Sequence, residues 1–213
     1  MGLDRILTSD RLIYRAIEST DTDILIKLHQ DTEAHTNFTP FLPTPQGRAI
    51  AETDLASFES CMLAAMICIK PPNRTCLGDF TPEGPGIPIG TITLKDANAN
   101  IPNGRYLRNA KLGINILPKY HCKGYGTEAV KWCLQWGFKQ AGLNKIGANV
   151  YEHNVRSAAL FESLRFTLDG KLRDEVWFDG SFWDEWAYSM LEVEWKEMYC
   201  GPSPEISSDG GSL

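Results

Sequence analysis

Two glycines, Gly124 and Gly126, open the strongest helix signal in the chain, inside the segment Ile114–Glu128, INILPKYHCKGYGTE. These residue types at this spacing suit phosphate binding. Glycine lets the backbone turn tightly and approach a ligand with no Cβ in the way. The first N–H groups of a helix have no intrahelical acceptor, and the helix dipole adds partial positive charge there. A pyrophosphate fits such a site, and Lys123 can add a charge-assisted contact.

Two other readings fit the same residues. One is a glycine-rich helix start with no ligand. The other is a dinucleotide fingerprint, GxGxxA, matched by Gly124, Gly126 and Ala129. Against the second, Pro118–Lys123 separates the glycines from the preceding strand. The acidic ribose ligand expected about 20 residues on falls near Asn149, with Glu152 the nearest acid.

Further along, Asn154 and Ser157 read as a helix cap and a first-turn polar residue. Trp177, Phe178, Phe182, Trp183 and Trp186 cluster in the last third, where cross-strand packing is the ordinary explanation. Phe38 and Phe41, in a proline-broken loop Phe38–Pro45, are placed to face them. Glu128 complements the helix dipole. Cys122, beside the glycines, has no partner base in view and reads as a backbone donor position. The six cysteines form no CxxC pair, and no Cys/His cluster has zinc spacing, so no metal is expected.

These residues need a scaffold. Strands are expected at Arg11–Ile17, Met62–Ile69, Ile89–Lys95, Lys111–Leu117, Lys145–Val150, Lys171–Phe178 and Ser181–Glu192, the last two joined by a turn at Asp179–Gly180. Helices are expected from Thr20 or Asp21 to Leu28, at Pro45–Ser60, Thr127–Ala141 and Asn154–Ser163. Lys70–Pro88 reads as a loop or irregular hairpin insertion, and 201–213, rich in Ser, Gly and Pro, as a disordered tail. The pattern predicts a single α/β (α+β) domain over 1–200 with a mixed, mostly antiparallel sheet and flanking helices.

Composition narrows the partners. The 213 residues suffice for one core. A net charge of -6 with no basic stripe argues against nucleic acid and mildly favours a cationic substrate. No signal peptide and no apolar stretch of about 20 residues is found, so the reading is cytoplasmic, without a membrane.

The stretch Leu112–Ala129 resembles the acyl-CoA motif of the GNAT superfamily, written [RQ]xxGx[GA], and most of all its ribosomal-protein N-acetyltransferase-like branch. The matching run is Lys123-Gly124-Tyr125-Gly126-Thr127-Glu128-Ala129. Asn154 to Ser157 matches the branch's NxxS, and Asp179 to Trp195 its closing hairpin and final strand. The resemblance spans roughly Asp10–Lys196.

It implies a GNAT-like domain with splayed central strands and an N-acetyltransferase that moves acetyl from acetyl-CoA, a co-substrate, directly to a primary amine. The alternative is a catalytically silent acyl-CoA-binding module. The diphosphate would lie on His121, Cys122, Lys123, Gly124, Tyr125, Gly126 and Thr127. The pantetheine arm would pair near Ile116 and Leu117, with a backbone N–H near Ile116 holding the developing oxyanion. Asn154 would bind the pantetheine or orient a water, and Ser157 would lie near the sulfur. Phe38, Phe41 and Trp183 would line the acceptor side. The acceptor is a small molecule or a protein N-terminus or lysine, and the enzyme a monomer or homodimer. Three departures stand out: His121 replaces the motif's Arg or Gln, Phe161 replaces a tyrosine that serves as acid, and Arg165 replaces a glycine at a helix end.

Overall fold

The computed structural model describes residues 7–71, 86–102, 104–199 and 201. In chain order it has β1 (Leu12–Arg15), α1 (Thr22–Gln30), α2 (Thr32–Phe38), α3 (Arg48–Glu59), β2 (Leu63–Ile69), β3 (Ile87–Asp96) and β4 (Asn109–Ile116). After these come α4 (Tyr125–Gln135), β5 (Lys145–Tyr151), α5 (Val155–Ser163), β6 (Thr167–Phe178), β7 (Ser181–Leu191) and α6 (Glu192–Tyr199). The expected tail, 202–213, and most of the expected Lys70–Pro88 loop lie outside the described residues.

Seven strands form one sheet in the order β1-β2-β3-β4-β5-β7-β6. All neighbours are antiparallel except β4 and β5, which run parallel. Strand alternation sends Ile146, Ala148 and Val150 of β5 to one face, under α4 and α5, where Val130, Cys133, Leu134, Ala158, Phe161 and Leu164 meet them in the main core. The other face packs Met66 and Cys68 against Ile24, Leu25, Leu28 and Ala51 of α1 and α3. The fold class is as expected.

Two elements depart from expectation. Thr32–Phe38 is a helix: Asp31 accepts the Ala34 N–H at 3.0 Å, a cap that starts α2 without a long apolar stripe. Glu192–Tyr199 is also helical rather than strand, anchored by the buried Trp195 against Phe138. At the end of α5, Arg165 sits at φ 66, the left-handed region where glycine is usual, and the Phe166 N–H closes the turn on the Phe161 carbonyl at 3.0 Å.

Candidate active site

The feature that opens the sheet is the parallel pair. β4 and β5 are in register only from Asn109↔Lys145 to Lys111↔Gly147, although β4 runs on to Ile116 and β5 to Tyr151. Beyond Lys111 the strands fork. The Leu117 N–H reaches the Ile89 carbonyl at 2.9 Å, so Ile116 and Gly90 face each other as a non-hydrogen-bonded pair. By that parity the N–H and C=O groups of Ile116 and Ile114 point away from β3, into the fork. His121 reaches back and donates its Nε2–H to the Ile116 carbonyl at 2.6 Å. Its Nδ1 is buried with no partner among the described residues.

Past the fork the chain turns on Cys122 (φ 56) and Gly124 (φ 77), both left-handed. Gly124 caps α4 with no side-chain hydrogen bond, and the first intrahelical bond runs from Glu128 N–H to Gly124 O at 3.1 Å. The N–H groups of Tyr125, Gly126 and Thr127 precede that bond and have no intrahelical acceptor. A side chain at 124 would be strained by the positive φ and would meet Arg11 at 3.2 Å. Arg11 braces this turn: Nη1 donates to the Lys123 carbonyl at 2.9 Å and Nε pairs with Glu128 at 2.7 Å.

Glu128 also accepts from the Ser9 hydroxyl and the Arg11 N–H, each at 2.7 Å. Burial would raise its carboxyl, but these hydrogen bonds and the guanidinium outweigh burial and hold it below the usual range. Both oxygens are committed to fastening the segment that leads into β1, Ser9 and Arg11, to α4, so Glu128 is structural rather than a base.

A cavity of about 360 Å³ joins the fork to this helix end. Its walls bring together Ile116, His121, Cys122, Gly124, Tyr125, Gly126, Thr127, Asn154, Ser157 and Phe38, all singled out in the sequence. Leu117 is not among them; it is buried against α1 and α3. Lys123 turns its ammonium onto the Lys119 carbonyl at 2.8 Å and lies over the Tyr120 ring. Phe41 is exposed and Trp183 stands outside the cavity, its Nε1–H on the Phe178 carbonyl at 3.0 Å. Ile114, Asn115, Tyr120, Arg156 and Leu160 line the cavity without having been singled out in the sequence, as do Ala34 and Asn37 of α2. Leu160, three residues after Ser157 on a helix, was within reach of helical spacing. The α2 residues were not, because the helix itself was not foreseen.

Asn154 uses its amide within the protein. Its Oδ1 caps α5 by accepting the Ser157 N–H at 3.1 Å, and its Nδ2 donates to the Asn37 carbonyl of α2 at 3.2 Å. His153 donates to the Thr36 carbonyl at 3.2 Å, and Arg156 pairs with Glu33. The turn 152–157 thereby docks α2 over the cavity. It also holds the β6–β7 hairpin, through Asp184 N–H to Glu152 at 3.3 Å and through His153 packed on Phe178 and Trp183. The Ser157 hydroxyl has no hydrogen-bond partner among the described residues, and Ser157 lines the cavity.

Phe161 differs from Ser157 in where it points. It is 2% exposed, edge-on to Phe166 and stacked on Tyr188. Phe161 is thus part of the main core and brings no hydroxyl to the cavity. Although four residues apart, Ser157 and Phe161 straddle the boundary between cavity and core.

The residues present fit an acyl-CoA. The bare α4 terminus and its glycines suit a diphosphate, and the backbone groups of Ile114 and Ile116 in the fork suit an amide-bearing arm. Among the described residues there is no group of three or more potential metal ligands, and no helix is long and apolar enough to cross a membrane.

Comparison with known proteins agrees with this geometry. The family model described as acetyltransferase (GNAT) domain matches residues 11–167. The uncharacterized N-acetyltransferase p20 of Bacillus licheniformis is 30% identical over 193 residues, 89% of this chain and 97% of that protein. The spermidine N(1)-acetyltransferase of Escherichia coli (strain K12) is 28% identical over 103 residues, 48% of this chain and 52% of that protein. In three dimensions the chain is similar to a GNAT-family acetyltransferase from Bacillus anthracis (TM-score 0.69, 20% identity, 88% of this chain and 99% of that one). It is equally similar to spermidine N-acetyltransferase from Vibrio cholerae, solved with CoA and spermine (TM-score 0.69, 19% identity, 88% and 99% covered). At these identities the structural likeness is one of fold.

Proposed function

The chain belongs to the GNAT acetyltransferase family, transferring an acetyl group from acetyl-CoA to an amine, and we propose on that premise that transfer is direct, in the fork between β4 and β5. One observation carries the proposal: a single cavity connects the uncapped N-terminus of α4 to the point where Ile114 and Ile116 turn their backbone polar groups out of the sheet. The diphosphate lies on His121–Thr127. The Ile116 N–H stands at the fork to polarise the thioester carbonyl and hold the charge that develops there. The Ser157 hydroxyl is the group we assign to the leaving sulfur, since Phe161 offers none. Asn154 positions Ser157 by capping α5 and fixes α2 as a wall.

Phe38, at the end of α2, lines the acceptor end, with Phe41 and Trp183 further out. The acceptor is a small amine, as the named spermidine acetyltransferases among the relatives suggest, or a protein N-terminus or lysine. We read the protein as cytoplasmic, a monomer or homodimer, with no nucleic-acid partner. The test is release of free thiol from acetyl-CoA with a panel of amines, beside calorimetry of CoA binding. Amine-dependent thiol release is expected. Binding without release would instead identify a silent acyl-CoA module, the reading that the absence of a hydroxyl at Phe161 favours.

A further inference from the structure

The cavity reaches the sheet face that turns away from α4 and α5 at Asn115. Because side chains alternate, Lys111, Gly113 and Asn115 of β4 share that face with Lys145, Gly147, Asn149 and Tyr151 of β5. Lys111↔Gly147 is the last pair before the fork, so Gly113 stands level with Asn149 across the opening, and Asn115 with Tyr151. Asn115 lines the cavity.

One polar chain crosses this opening. Lys111 Nζ donates to Asn149 Oδ1 at 2.6 Å, and Asn149 Nδ2 donates to Glu185 Oε1 of β7, the residue opposite Tyr151. An ammonium can only donate, so Asn149 must turn its oxygen to Lys111 and its NH2 to Glu185. Oε2 of Glu185 makes no hydrogen bond to the described residues. Lys111 and Asn149 are exposed, and Glu185 is half-buried.

We propose that Glu185 is the carboxylate that receives the acceptor's ammonium at the mouth of the fork and takes its proton, with Asn149 and Lys111 as positioning residues. This rests on the acetyl-transfer reading. The ammonium R–NH3+ passes one proton to Glu185. The freed lone pair forms the C–N bond to the thioester carbon as the C–S bond breaks, its electrons going to sulfur. The second amine proton leaves with the thiolate as thiol, and Glu185 returns its proton to solvent.

Charge around Glu185 is consistent with that role. Lys111 faces it from β4, Tyr151 from β5 and Glu175 from β6. From α2, Phe38 approaches Gly113, while Glu33 is paired with Arg156 and His35 with the Phe41 carbonyl. Burial, reinforced by Glu175 and opposed by Asn149 and Lys111, raises the Glu185 carboxyl above its ordinary value. A carboxylate so placed holds a proton more readily, as a base must.

The experiment compares wild type, Glu185→Gln and, as a control from the neighbouring Lys145–Asp169 ion pair, Asp169→Asn. The amines are a diamine, spermidine and a peptide with a free N-terminus. Glu185→Gln is expected to lower kcat/KM for the best amine by roughly 10²-fold near neutral pH, with the acetyl-CoA KM unchanged. The gap should narrow as pH rises, because free amine then forms without a base. Asp169→Asn should follow the wild type. Should Glu185→Gln not fold, Glu185→Asp carries the test, with a smaller loss at neutral pH that likewise narrows as pH rises. A loss equal at every pH, or an unchanged kcat/KM, overturns the role of Glu185 while acetyl transfer stands. A wild type that binds acetyl-CoA but releases no thiol with any amine overturns both.

Discussion

The two ends of the cavity are built by different means. At the α4 end the working groups are backbone: first-turn N–H groups, two glycines, and a turn braced by Arg11 and Glu128. At the α2 end they are side chains from segments distant in sequence, held together by the turn 152–157 acting on α2 and on the β6–β7 hairpin. A backbone site binds what every member of a family shares, since it survives most substitutions. A side-chain site can change with each residue, so the α2 end is the part of such a cavity that substitution can retune.

The widest separation between the two ends should come from Gly126→Glu. A Cβ there meets Leu160 at 3.5 Å and Ile116 at 3.9 Å, ordinary contact, so the fold should hold. The carboxylate would stand where phosphate belongs, and like-charge juxtaposition costs several kcal/mol. CoA affinity measured by calorimetry should fall at least ~100-fold; unchanged affinity would remove the α4 end from cofactor binding.

Ser157→Ala tests the middle of the cavity. We expect kcat to drop by up to ~100-fold with little change in acetyl-CoA KM, the sign of an interaction made mainly in the transition state. An unchanged kcat would leave unassisted thiolate departure. At the acceptor end, Trp183→Ala and Phe41→Ala should each raise the acceptor KM about fivefold, roughly 1 kcal/mol, and leave the acetyl-CoA KM alone. The reverse pattern, or loss of fold by circular dichroism, would make these aromatics packing residues only. The smallest effect belongs to neither end. Arg165→Gly should relieve a left-handed residue and raise stability by about 1 kcal/mol in thermal melts, with both KM values fixed.

The same division explains what the sequence disclosed. Strands with clean alternation, such as the one expected at Lys145–Val150, and the helix opened by Gly124 and Gly126 were legible because period and glycine placement are local signals. The fork residues and the glycine loop followed from them. The short helix α2 was not legible: Thr32–Phe38 has a cap but little apolar periodicity, and it is fastened in part by His153, Asn154 and Arg156, more than a hundred residues away. Lys123 looked like a phosphate ligand from its position, yet its long side chain found the nearer Lys119 carbonyl. Glu185 looked like an ordinary strand residue until register set it beside Asn149. Phe161 drew attention as the replacement of an acidic tyrosine, but how deeply its ring is buried depends on contacts with Phe166 and Tyr188 that helical spacing does not disclose.

The fork has a mechanical side as well. With β4 and β5 joined over three residue pairs, the sheet is two antiparallel blocks meeting at a short seam. An amide-bearing ligand in the fork adds rungs that the chain itself does not supply. Holding the blocks together and holding the ligand then become one linked equilibrium. At a hundredfold excess over its Kd, such a ligand stabilises the native state by about 2.7 kcal/mol. The amides slowed most in hydrogen exchange should be those along the open stretch of the seam, Ile114 and Ile116 first.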